Sequence, residues 1–340
     1  MEDMVTVSVK DLTKQCIKHF MKVGLTEQDA TTSADILVHA NLRGVDSHGT
    51  SRMPYYEGII NDGIITNNPH ITIQETGPSS AIVDGDNGLG LIIAHRSMTK
   101  AIELALKSGV GMVGAFNSSH CGALSYYVKM AAEHDLIGMA VTNAGPGVIA
   151  FGGKKPFFGT NPLAFGFPAG RNSPIILDMA TSSVAMGKIT HDYLLRGKPI
   201  PVGWAVDDDG NSTTDPSLAK WMLHFGGAKG FGLAMVVDIL AGILTGGSFS
   251  HHLRLYLGDD DSSKSNLGVY FCAFDPSRFT DIQRFKDQID LMIDEIHAVP
   301  PAEGFEQVMV PGEPERLKEA YRTVSGIPLT RDIYEFLFDD

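Results

Sequence analysis

Apolar side chains recur at helical spacing from the start of the chain: Leu12, Ile17, Phe20 and Val23 follow Ser8 and Asp11, a pair with the spacing of a capping box. Thr26 with Asp29 repeats the device, so the chain is predicted to open as a helical hairpin whose second helix runs to about Arg43, where Gly44 ends it. Tyr55 to Ile65 reads as a short helix and turn, Ile71 to Val83 as extended chain, and Met98 to Leu106 as a helix. From Val110 to Asn143 the pattern is strand (Val110 to Phe116), helix (Ala123 to His134) and strand (Ile137 to Asn143), bounded by glycines and polar turns. That alternation predicts an α/β fold.

Gly145 to Asn161 is rich in glycine, proline and aromatic residues, and Pro174 to Leu177 is a short apolar strand ending at Asp178. Arg196 to Pro216 reads as a polar surface excursion and Lys229 to Leu244 as a strongly apolar helix. Val269 to Phe274 is a buried-type strand, and Phe285 to His297 a final amphipathic helix before a Pro/Gly-rich stretch, 300–314. Asp259 to Lys264 is low in complexity and predicts an exposed loop. A chain of 340 residues exceeds what one core usually supports. Two domains are expected: a mainly helical one from 1–74 and 276–340, and a sheet domain from 75–275.

Charge narrows the function. With 27 basic against 40 acidic side chains the net charge is −13, which disfavours nucleic acid and anionic membrane as partners. An anionic ligand would need a local cation set against that field. Cys16, Cys121 and Cys272 are far apart and form no CxxC, so neither a disulfide framework nor a structural zinc site is indicated. No HExxH occurs, and no metal is expected. Met1 to Lys10 holds no apolar run and no stretch reaches the roughly 20 apolar residues of a bilayer span, so a cytoplasmic protein is expected.

Gly109-Val110-Gly111-Met112-Val113-Gly114 matches the dinucleotide pattern GxGxxG, but that fingerprint follows a strand and opens a helix. Here a helix precedes it and a strand follows, so these glycines read as a helix stop and a close strand contact. In Asp46-Ser47-His48-Gly49-Thr50-Ser51-Arg52, His48 and Arg52 are four apart and on one face if helical, a candidate carboxylate clamp. A capped polar helix start with a solvated Arg52 is the competing reading. His120 sits between strand and helix, where α/β sheets place ligands, as a proton acceptor for a hydroxyl or as a satisfied structural histidine. Asp178 reads as an acceptor of ribose hydroxyls or a helix cap, Cys121 as a packed thiol, and Lys229 among Gly226, Gly227, Gly230 and Gly232 as an anion contact at a helix start.

Together RGVDSHGTSRMPYY (43–56), NSSHCGALSYY (117–127), FGGKKPFFGTNPLAFGFP (151–168), ILDMATSSVAMGK (176–188), GWAVDDDGNSTTDP (203–216), GGAKGFGLAMVVDIL (226–240) and GFEQVMVPGEP (304–314) resemble the malate/L-lactate dehydrogenase family, distinct from the Rossmann-type enzymes. The resemblance implies a two-domain α/β fold with a non-Rossmann nicotinamide site, a homodimer with its active site at the interface, and NAD, or NADP, as cofactor. It implies His120 as proton acceptor and Ser47, His48 and Arg52 as substrate and relay groups. Tyr56, Thr160 and Lys188 would contact substrate. His120, Cys121, Gly122, Ala123, Leu124, Asp178, Met179, Ala180, Lys229, Gly304, Phe305, Gln307 and Met309 would contact the cofactor. Lys188 stands where the family's imine reductases carry an acid, which argues for hydroxy acids. Met222-Leu223-His224-Phe225 departs from the family's Leu-Pro-rich turn. Malate or lactate is the expected substrate, ureidoglycolate the alternative, and an inactive ligand-binding relative the reading from another class.

Overall fold

The computed structural model of the chain describes residues 4–253 and 265–339, so the expected loop at Asp259 to Lys264 lies outside the described residues. The helical hairpin forms as its capping residues dictate. Ser8 Oγ accepts the Asp11 N–H at 3.1 Å ahead of the helix Val9–Lys22, and Thr26 Oγ1 accepts the Asp29 N–H at 3.2 Å ahead of Glu27–Leu42.

The principal sheet has seven strands in the order Thr72–Gly77, Ser80–Asp84, Val110–Ser118, Leu267–Phe274, Ile137–Thr142, Leu163–Phe167, Ile175–Met179. Mixed α/β architecture is therefore present, but only Ser80–Asp84 with Val110–Ser118 is a parallel pair. The strands on either side of the helix Ser125–Ala132 are not neighbours. Leu267–Phe274 lies between them and runs antiparallel to both. Gly109 ends the helix Gly90–Ser108 with φ +88°, and Gly111 lets Val110–Ser118 approach the Ala101 backbone too closely for any Cβ. The GxGxxG match is thus a helix stop and a packing contact.

A second sheet of five short strands joins Val148–Ile149 and Pro156–Phe158 to Ala205–Val206, Ser212–Thr213 and Trp221–Met222. Val148, Val184, Ile189, Ile200, Ala205 and Met222 form its own small core. The main core runs without a break from Leu12, Phe20 and Ile36 of the hairpin to Val113 and Phe271 of the large sheet and Ile327 and Leu337 near the end of the chain.

Some elements differ from their expected extents. The helix predicted to begin near Met98 starts at Gly90, because Leu91, Ile92, Ile93 and Ala94 are all buried and show no amphipathic period. Glu313–Ser325 and Arg331–Phe338 are additional helices, and Met4–Val7 pairs antiparallel with Ile327–Thr330, tying the two ends together.

Candidate active site

The segment Asp46 to Arg52 is not one helix but two consecutive 3₁₀ turns, Asp46–His48 and Thr50–Arg52. Its anchors lie outside it. Asn41 Oδ1 accepts the Thr50 N–H at 2.7 Å while its amide nitrogen donates to Asp46 Oδ1 at 2.8 Å. Arg322, 276 residues along the chain, grips the same carboxylate with both terminal nitrogens, at 2.7 and 3.0 Å. Gly49 allows this fold-back, since a Cβ there would run into the Asn41 amide. Asp46 is therefore a structural anchor. Arg52 Nε donates to the Ser47 carbonyl at 2.8 Å, and no carboxylate among the described residues pairs with the guanidinium. The same fork that carboxylates recognise is left to a ligand.

His120 follows the strand Val110–Ser118 in a loop fastened by Ser119, whose hydroxyl donates to Gly88 O at 3.2 Å and accepts the Gly90 N–H at 2.8 Å. Its Nδ1 lies 2.7 Å from the Tyr56 hydroxyl, and Nε2 has no hydrogen-bond partner among the described residues. The His48 ring is 5.5 Å from it, centroid to centroid, and Ser47 Oγ lies 3.1 Å from His48 Nδ1. Burial, reinforced by Arg52, lowers His48 to about 4. Burial, then His48 and Arg52, hold His120 well below the ordinary histidine range. Both rings are thus neutral near pH 7, with a free nitrogen available for proton exchange.

Beside these groups opens a cleft of about 610 Å³, within the size range of small-molecule and cofactor sites. Ser47, His48, Gly122, Ala123, Leu124, Thr160, Asp178, Met179, Ala180 and Met309 form part of its wall. Asp178 Oδ2 accepts the Ser125 N–H at 2.7 Å at the start of the helix Ser125–Ala132. Its Oδ1 has no hydrogen-bond partner among the described residues, so one carboxylate oxygen serves the fold and the other remains for hydroxyls. That polar atom, next to the backbone of Gly122 to Leu124, fits a ribose-bearing cofactor.

Other expected residues stand apart from the cleft wall. Tyr56 is fully buried behind His120, with its hydroxyl on the imidazole. Cys121 is buried, and burial pushes its thiol up to about 12, so it is a packed side chain and no nucleophile. Lys188 lies over the Trp204 ring at 5.8 Å, Lys229 is exposed, and Gly304, Phe305 and Gln307 face solvent, Phe305 being 71% exposed. In the motif that closes the chain's last loop only Met309 reaches the wall.

Some site residues escaped the sequence. Arg43, whose guanidinium donates to Glu319 at 3.1 Å, lines the cleft, as do Pro162, Ala185 and the backbone from Val310 to Gly312. Arg322 and Asn41 carry no local signature of their roles. A conserved-looking motif announces the segment they hold, not the distant side chains that hold it.

The chain matches the profile described as "Malate/L-lactate dehydrogenase" over residues 7–337. It is 38% identical over 319 residues to ureidoglycolate dehydrogenase (NAD(+)) of Escherichia coli O157:H7, covering 94% of this chain and 91% of that protein. With malate dehydrogenase of Pyrococcus horikoshii the identity is 39% over 347 residues, covering 99% and 94%. The solved structure of sulfolactate dehydrogenase from Methanocaldococcus jannaschii superposes with a TM-score of 0.91 at 37% identity, covering 98% of this chain and 95% of that one. Two neutral imidazoles and an unpaired guanidinium beside a cofactor-sized cleft thus occur in a chain that, over almost its whole length, belongs to the malate/L-lactate dehydrogenase family of nicotinamide-dependent hydroxy-acid oxidoreductases.

Proposed function

We propose that the protein interconverts a small 2-hydroxy acid and its 2-keto acid with NAD, NADP being the second cofactor to test. The observation that carries this reading is the convergence of Arg52, His48 and His120 at one end of the cleft. The Arg52 guanidinium takes the substrate carboxylate, Ser47 and His48 orient the oxygen on C2, and His120 exchanges the proton on that oxygen. Thr160, on the facing wall, borders the substrate. Gly122 to Leu124 and Asp178 to Ala180 hold the cofactor, with Lys229 and the 304–309 stretch closing over it. The bound nicotinamide supplies or accepts the hydride. Neutral histidines next to a cation suit this task, because arrival of a carboxylate on Arg52 offsets the positive charge that keeps His120 from binding a proton.

Malate or lactate is the first substrate pair. Ureidoglycolate is the second reading, and one feature favours a monocarboxylate of either kind: Arg43 on the cleft wall is already paired with Glu319, so in a single chain a second carboxylate finds no unpaired arginine or lysine there. The helical domain of 1–74 and 276–340 and the cofactor domain of 75–275 belong to the same proposal. Its support is that the cleft lies where they meet, with Arg43, Ser47 and Pro311 on one side and Ala123, Thr160 and Asp178 on the other.

A homodimer is supported by the helix Ala228–Asp238 and the turns after it. From Gly230 to Ser250 the sole charged residue is Asp238, which is buried, while Leu233, Val236, Ile239, Ile243 and Leu244 are exposed. An apolar face of that kind fits a second copy of the chain. Cytoplasmic location is supported by three buried free thiols. No helix among the described residues is long and apolar enough to cross a membrane.

Initial rates of NADH and NADPH oxidation with oxaloacetate, pyruvate and further 2-keto acids, alongside NAD reduction with malate, lactate and ureidoglycolate, test the proposal. Turnover with one acid pair is expected. No change in nicotinamide absorbance with any of them would leave a ligand-binding relative.

A further inference from the structure

The nitrogen of His120 turned to Tyr56 has two neighbours, and both carry a hydrogen. The Tyr56 hydroxyl lies 2.7 Å from Nδ1, and the Gly122 backbone N–H points at the same atom from 3.4 Å. A backbone N–H can only donate. Tyr56 is fully buried, burial raises its phenol well above the ordinary tyrosine range, and no other group among the described residues accepts its hydrogen. A buried hydroxyl without an acceptor is costly, so the phenol hydrogen also points at Nδ1. That atom must then offer its lone pair, and the hydrogen of the neutral ring sits on Nε2.

We propose that Tyr56 is a positioning residue which, with the Gly122 N–H, holds the resting imidazole of His120 as the Nε2–H tautomer, so that the site meets its substrate with a hydrogen-bond donor. This rests on the reading of His120 as the group facing the oxygen on C2. A keto oxygen, which only accepts, fits the resting site directly. A substrate hydroxyl can accept from Nε2–H, but its own proton then has no acceptor on the ring. Taking that proton requires the ring hydrogen to sit on Nδ1 instead, against a Tyr56 oxygen turned to accept. The phenol hydrogen then loses its partner and the Gly122 N–H faces another N–H. Both donors therefore oppose protonation of Nδ1, and removing one of them makes the ring a stronger base.

The alternative placement of Tyr56, as a direct substrate contact, leaves the His120 tautomer indifferent to it. Nitrogen NMR of the full-length protein labelled with [¹⁵N]histidine separates the two, with His120 assigned by the resonances missing from His120→Asn. Near neutral pH the free enzyme is expected to show a pyridine-type shift at Nδ1 and a pyrrole-type shift at Nε2. The reverse pattern overturns the proposal. Tyr56→Phe keeps the ring in the core and removes only the hydroxyl. The His120 titration midpoint is expected to rise by about one pH unit, tenfold in proton affinity, with a smaller Nε2–H share. An unmoved midpoint and tautomer also overturn it, and should Tyr56→Phe fail to fold, the wild-type spectrum decides alone. The role of His120 itself is read separately, from turnover: a fully active His120→Asn removes that role and leaves the tautomer result standing.

Discussion

Two short irregular stretches, Asp46 to Arg52 and Gly226 to Lys229, each lead into a helix and each carry a cation suited to an anion. Their supports differ. The first is fastened from outside by Asn41 and by a two-pronged Arg322 contact to Asp46. The second turns through two successive glycines at φ +57° and +62°, has no side-chain cap, and leaves its lysine exposed. The substrate end is built before anything binds; the cofactor end keeps freedom to adjust. A site that must align a proton and a hydride tolerates little error at the first end and can close on its ligand at the second.

The sharpest way to break this comparison is to remove chemistry from the rigid end. His120→Ala is expected to lower kcat by roughly 100-fold or more with the fold intact. Steady-state rates checked against an unchanged circular dichroism spectrum measure it, and near-normal turnover would move the proton exchange to His48. Next comes the anchor. Arg322→Ala, which touches neither ligand, is expected to cost about 10- to 100-fold in kcat/KM and about 1–2 kcal/mol in stability, the pair being only partly buried. A kcat/KM equal to wild type would show that the 3₁₀ turns hold themselves.

Smaller still is Lys229→Ala. Several-fold weaker nicotinamide binding, with kcat and thermal midpoint unchanged, is the expected pattern by fluorescence titration. A loss as large as that of Arg322→Ala would erase the distinction between the two ends. The smallest effect is on acid stability. Burial, then Arg43 and Lys129, lower His39 to about 3, and His48 is lowered to about 4. Above pH about 6.5 both are neutral folded and unfolded and contribute no pH dependence. As the pH falls below that, the unfolded chain binds protons that the folded one refuses, so stability should decline from about 6.5 towards 4. Urea midpoints between pH 7.5 and 5 follow it, and a midpoint that rises on acidification contradicts the assignment.

The elements with local signatures were legible in the sequence. Ser8 and Thr26 cap the helices they were expected to cap, and the Gly109 to Gly114 run packs as its order relative to the strand required. The segment around His48 and the loop at His120 were legible as chemistry, although the helix assumed for the first is a pair of 3₁₀ turns. What escaped was set at a distance. Leu91 to Ala94 hide a helix start because every face is buried, and Met4–Val7 gains its strand partner from Ile327–Thr330. Tyr56 was expected on the substrate, and only the folded chain shows its hydroxyl on His120.

The strand Leu267–Phe274, lying between Val110–Ser118 and Ile137–Thr142, also sets a timetable. During synthesis the segments bearing His48, His120 and Thr160 emerge well before the strand that joins the two halves of their sheet, and Arg322 emerges later again. Until then the sheet exposes two open edges, which are sites of mispairing. A nascent chain can hold every reactive side chain of this enzyme and still have no active site. Assembly of the site is therefore a late event in folding, and the long wait is where a chaperone would have most to protect.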